Sequence, residues 1–191
     1  MDKQMHKFFI AAGLAALLLP LNARADEQFT PLAASGDWAA FVHRDSMADA
    51  PDFCGAGDLK DGLIFRADNT DIEIRYSDDS WSLPANVSGN LALAVNGNNY
   101  VLPITANTNT QVMAVISQDQ LEEMVADMNK AGSMQLTPGS GNPVTISLDG
   151  SNIAITAFLT CAGISQPGNT GGENPFQSAP TNSNTQNNQN Q

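Results

Sequence analysis

Carboxylates are the side chains in this sequence best suited to chemistry. Asp45, Asp49, Asp52, Asp58 and Asp61 lie close together, interleaved with Gly55 and Gly57. Hard oxygen ligands beside glycine carbonyls are what calcium takes, so these five are the candidate metal ligands. A second acidic group, Asp68, Asp71, Asp78 and Asp79, follows. Neither group has the D-x-[DN]-x-[DN]-G spacing with a distal Glu that builds an EF-hand. Solvated loop charge accounts for both without an ion, and no resident cofactor is expected. A glycosidase would need two of these acids across a cleft, which a sequence does not display. His43 is the one histidine after residue 25, with Asp45 nearby. A lone imidazole without triad spacing, in a chain lacking G-x-S-x-G, does not support serine hydrolysis. No catalytic residue is assigned, and the chain reads as non-enzymatic.

The most complete local signal among the elements that must position these groups is Ile116 to Gly132, ISQDQLEEMVADMNKAG. Ser117 and Gln120 have capping-box spacing, and Ile116 and Leu121 have that of a hydrophobic staple. Leu121, Met124, Val125 and Met128 recur at helical spacing as one apolar stripe, with Glu122, Glu123 and Asp127 on the other side. A helix over 117–132 is predicted, with Gly132 suited to a left-handed C′ position. The methionines at 113, 124, 128 and 134 can be read as soft-metal ligands, but the spacing of Met124 and Met128 with Leu121 and Val125 makes them core.

The rest of the chain reads mainly as strand. Asp37 to His43 alternates with Trp38 as core anchor, and Gly62 to Ala67 and Asp71 to Tyr76 flank the turn trio Asp68-Asn69-Thr70. Leu91 to Val95 and Tyr100 to Ile104 flank Asn96-Gly97, the strongest short-range hairpin signal. Further strands are expected at Gln111 to Ile116, Met134 to Thr137 and Val144 to Leu148. The glycine- and aspartate-rich stretch 44–61 reads as a loop pinned at Cys54, and residues 26–36 as a polar leader. Over 151–160 the isoleucines favour a strand, whereas Ser151 as a cap and Ala154, Ala157 and Phe158 favour a short helix, which is preferred.

Lys3, His6 and Lys7, the uncharged run Phe8 to Leu19 and the pattern Ala23-Arg24-Ala25 form a secretory signal peptide, with cleavage expected after Ala25. The apolar run is too short for the roughly 20 residues of a membrane span, so no membrane insertion is expected after cleavage. Residues 1–25 hold three of the eight basic and one of the twenty acidic residues, which leaves five against nineteen, a net charge of −14. Such a surplus disfavours nucleic acid, which needs Lys and Arg to replace its counterions. Cys54 and Cys161, the only cysteines, are expected to form a disulfide in an oxidising compartment. Residues 163–191, rich in Gly, Asn, Gln, Ser and Pro, are expected to be disordered, because they bury too little apolar surface to offset ordering entropy.

In order and spacing, several features resemble the invasion-associated locus B family of small secreted proteobacterial proteins. They are Gly36-Asp37-Trp38, an early cysteine, hairpins with an idealised turn, the Gln120-Leu121 to Val125 helix, and Ser147-Leu148-Asp149-Gly150 followed by Ala154, Ala157 and Phe158. The resemblance covers residues 36 to 162. The family's cysteine directly after the tryptophan strand has no counterpart in Ala39 to His43, and a second mid-domain cysteine pair is absent. The resemblance implies a non-enzymatic envelope protein, connected in some members with host-cell colonisation, with no catalytic residues to transfer.

The expectation is therefore a single domain over 37–162. It should be a mainly β antiparallel sandwich or partly closed barrel of seven to nine strands, capped by the 117–132 helix and a short helix at 151–160. It is a periplasmic or secreted binding protein whose partner is an envelope or host protein, with Val87 to Ile104 and the acidic loops as candidate surface. The competing expectation is a calcium-dependent carbohydrate module or envelope hydrolase using Asp45 to Asp61.

Overall fold

The computed structural model describes residues 28–44 and 51–165. Residues 1–25, read as a signal peptide, together with Asp45, Asp49 and the C-terminal stretch beyond residue 165, lie outside them. The strands are β1 (Gln28–Ser35), β2 (Trp38–Arg44), β3 (Phe53–Asp58), β4 (Leu63–Asp68), β5 (Ile72–Ser77), β6 (Ser88–Val95), β7 (Asn98–Ala106), β8 (Gln111–Ile116), β9 (Ser133–Pro138) and β10 (Val144–Ser147). The helices are α1 (Gln118–Met128) and α2 (Ser151–Ala162). All ten strands pair antiparallel in one sheet, in the order β1-β2-β3-β4-β5-β8-β7-β6-β9-β10. The fold is mainly β with minor α, as expected, and the sheet is not closed.

Alternation gives each strand one face for the core. Trp38, Ala40 and Val42 of β2, Leu63, Phe65 and Ala67 of β4 and Leu91, Leu93 and Val95 of β6 are buried. Onto that face α2 lays Ala154, Ile155, Phe158 and Leu159 against β1, β2 and β3, while α1 touches β6 and α2. A Cys54–Cys161 disulfide fastens α2 to β3, with Cα atoms 6.0 Å apart and a sequence separation of 107. The sheet curls until one corner of each half meets. Trp38 Nε1 donates to the Ser147 carbonyl at 2.7 Å, and the turns at Gly36 and Gly150 seat against Asp149 and Ser35 with no room for a Cβ. Both glycines also have positive φ, 59° and 84°, a conformation most residues avoid.

Two segments differ from expectation. Residues 26–36, read as a leader, hold β1, and the stretch read as a loop holds β3, so the count reaches ten. In β3 the glycines are required by crowding rather than by a turn. A Cβ on Gly55 would lie 2.6 Å from the Phe41 ring, and one on Gly57 would press into the Leu63 carbonyl.

The capping box forms as predicted: Ser117 Oγ accepts from Gln120 N at 3.2 Å, and Gln120 Oε1 accepts from Ser117 N at 3.0 Å. The stripe Leu121, Met124, Val125 and Met128 is buried. The helix itself is shorter than 117–132. It ends at the Asn129 cap, with Lys130 N and Ala131 N tightening the last turn onto Asp127 and Met128, so Gly132 is not used as a left-handed cap. In α2 the cap is Gly150 rather than Ser151, which is the first helical residue and is buried; Gly163, at φ 68°, ends the helix. Among the described residues no helix is long and apolar enough to cross a membrane.

Candidate functional site

With both helices on one face, no other described element covers the opposite face of the sheet, and its side chains are not those of an ordinary wet surface. On β1, β2 and β3 it presents Phe29, Phe41, His43 and Phe53, placed side by side by the pairs Phe29↔His43, Pro31↔Phe41 and His43↔Phe53. Phe29 is 57% exposed, and its ring centroid lies 5.6 Å from Phe41, 4.8 Å from His43 and 6.1 Å from Phe53. Gly55 between them lets the Phe41 ring lie close to the backbone. The Arg66 guanidinium stands 4.4 Å from the Phe53 centroid, within range of a cation–π contact.

Beside the aromatic group runs a cross-strand ionic ladder on β4 and β5. Arg66 Nη1 donates to Asp68 at 2.8 Å and to Glu73 at 3.1 Å, and Arg75 reaches Glu73 at 2.6 Å. Two positive and two negative charges cancel here, so this strip is neutral on a strongly acidic chain. Amides of Asp71 and Thr70, with Arg66, hold the Asp68 carboxyl below its usual range, the Asp71 amide being the largest cause. Past the ladder the face turns apolar again at Val115, half exposed on β8, and Val101, more than half exposed on β7.

His43 sits within the aromatic group, with its Nδ1 3.0 Å from Asp52 Oδ2 and its ring stacked on Phe53 at 4.9 Å. The acid in contact with it is Asp52; Asp45 lies outside the described residues. Of the five candidate calcium ligands, Asp52, Asp58 and Asp61 are among the described residues, and Asp52 stands apart from the other two. Asp52 precedes β3 and Asp58 ends it, about 20 Å apart at the strand rise of ~3.3 Å per residue. Asp58 and Asp61 share a location, the β3–β4 turn, where Asp58 Oδ1 accepts from Asp61 N at 2.9 Å. Among the described residues no three Asp, Glu, His or Cys side chains are placed to hold a metal ion.

The candidate surface Val87 to Ile104 is the β6–β7 hairpin, turning on Asn96 (φ 51°) and Gly97 (φ 83°) as Asn-Gly requires. Its tip is latched to α1. Asp127 accepts from Asn96 Nδ2 at 3.0 Å, Asn98 Nδ2 at 2.6 Å and Tyr100 Oη at 2.7 Å. The helical wheel assigns Asp127 to the solvent side with Glu122 and Glu123, yet it is buried. The spacing of Asn96 in the turn with Asn98 and Tyr100 on one side of β7 is visible in the sequence, but their common partner is not. The aromatic group was missed for a similar reason: Phe29 and Phe53 lie in segments read as leader and loop, so no strand face was available on which to align them with Phe41.

No protein-family model, curated protein or solved structure matches this chain, so the outer face rests on its own geometry.

Proposed function

We propose that this is an exported, non-catalytic binding protein of the cell envelope or exterior, docking a folded protein partner on the face of its sheet that neither helix covers. The single observation that carries the reading is the aromatic group Phe29, Phe41, His43 and Phe53, left outside the core with Phe29 more than half exposed. Aromatic and arginine side chains dominate the desolvated centres of protein interfaces, and contiguous apolar surface on a soluble protein marks such sites.

Strand addition at an edge is less well served. The β1 edge is broken by a register shift between Pro31 and Ala33, and the β10 edge has four residues preceded by Pro143. A partner is therefore expected to meet the face. Export is supported by the signal-peptide pattern read over residues 1–25, and an envelope or host partner by the resemblance to invasion-associated locus B proteins; the Cys54–Cys161 disulfide suits an oxidising compartment.

A photo-crosslinking residue at position 29, in the full chain expressed in its native cells, tests the proposal. A discrete heavier adduct is expected at 29 and none from position 153, an exposed site on α2. Equal labelling from both positions, or an adduct of twice the chain's own mass, would count against a dedicated hetero-partner face.

A further inference from the structure

Burial on the core face is tolerated by every side chain there except one. Asp58 is fully buried in the row Trp38, Asp58, Leu63, Tyr76, where its neighbours are apolar or aromatic. Its Oδ1 accepts from the amides of Lys60 and Asp61, each at 2.9 Å. Its Oδ2 is buried with no hydrogen-bond partner, the one such side-chain atom among the described residues. Native proteins pair buried polar atoms almost without exception, and a lone carboxylate oxygen in a core points to an occupant that completes it.

Asp58 lines a cavity of about 450 Å³ at the mouth of the curled sheet. Asp61, Asp78 and Asp79 line the same cavity from the turns that follow β3 and β5, and Tyr76 and Val144 supply apolar wall. The Tyr76 hydroxyl is raised above its ordinary range, first by burial and then by the charges of Asp78 and Asp61, in keeping with two carboxylates facing it. Ser80 holds Asp78 below the usual carboxylate range, with its hydroxyl 2.6 Å and its amide 2.9 Å from Oδ1. Lys60 also lines the cavity, but its ammonium is largely exposed and turns to Asp37 at 3.8 Å.

The acids are too dispersed for three of them to share one metal ion. An ammonium group, with donors pointing apart on a methylene stem, suits separate carboxylates beside an apolar wall.

We propose that this cavity binds an alkylammonium chain, its ammonium held by Asp58 with Asp61, Asp78 and Asp79 and its stem against Tyr76 and Val144. The site is independent of the outer-face reading. Two sources share the chemistry, a free linear polyamine and a lysine side chain of a polypeptide.

Thermal melts of the full chain, with spermidine or the peptide Gly-Lys-Gly against sodium chloride at equal ionic strength, test the proposal. One of the two amines is expected to raise the melting temperature saturably by several degrees, and which one does so identifies the source. Asp61→Asn and Asp79→Asn should each weaken binding at least fivefold, and Asp58→Asn should abolish it. An equal shift with sodium chloride or with calcium chloride, an unchanged shift in Asp58→Asn, or no shift with either amine overturns the assignment. Should Asp58→Asn fail to fold, amide resonances of the wild-type chain decide. Ligand-induced changes confined to residues 58–62 and 76–79 support the site, and their absence removes it.

Discussion

Asp127 occupies a helix face that charge patterning assigns to water, yet it ties three side chains of another element to α1. The Tyr100 hydroxyl first, then the amides of Asn96 and Asn98, pull its carboxyl down to about 2. Because the folded value lies below the unfolded value of about 3.9, the unfolded chain takes up the proton first. The stability this carboxylate contributes is complete above roughly pH 4 to 5 and is lost as pH falls through about 2. Asp127→Asn is expected to lower the melting temperature by several degrees at neutral pH. The gap to wild type should narrow toward pH ~2, which denaturant titrations at both pH values will measure. At the alkaline end Tyr100 is raised to about 12, by burial first and then by Asp127. Its folded value lies above the unfolded one, so its contribution is present below about pH 10 and is lost as pH climbs through 12. Nothing within a few residues of Asp127 reveals this role, since its partners stand 27 to 31 positions away.

At the scale of the element, α1 was largely legible because its signals are local. Ser117 and Gln120 are three residues apart and the stripe repeats every turn, so neither needs the rest of the chain to be known. Met124 lies fully buried at the centre of that stripe. Met124→Asp would place an unpaired charge in the core at a cost of several kcal/mol, on the order of a small domain's whole stability. It is expected to unfold the protein, whereas Glu122→Gln on the opposite face should melt as wild type does. Circular dichroism and gel filtration of the two variants suffice, and a folded, monodisperse Met124→Asp protein would contradict the assignment. The strand β3 shows the opposite case. Its sequence FCGAGD carries the glycines and aspartate of a turn, and only the Phe41 ring and the Leu63 carbonyl explain why glycine is needed inside a strand.

Across the whole molecule the two halves of the chain meet where β5 pairs with β8 and where α2 packs on β1, β2 and β3, and one covalent bond reinforces that packing. The Cys54–Cys161 bond spans 107 residues, and in the chain-entropy model a loop of that size is worth about 4.7 kcal/mol. The double variant Cys54→Ala, Cys161→Ala is expected to lose about 3 to 5 kcal/mol in urea unfolding. The amides of α2 should exchange earliest, because that helix loses its only covalent tie to β3. Protection of α2 undiminished by reduction would show that packing of Phe158 and Leu159 suffices alone. The periodic and compositional features of the chain were enough to give a mainly β domain, the capped helix with its buried stripe, the Asn-Gly hairpin and the cysteine pairing, since each depends on neighbours in sequence or on there being only two cysteines. Folding alone decided that a leader and a loop are strands, that Asp127 is a latch, that Asp58 is a buried acid beside a cavity, and that four aromatic rings share the face that neither helix covers. These depend on cross-strand register and on which face the helices cover, and both are fixed by contacts between residues far apart along the chain.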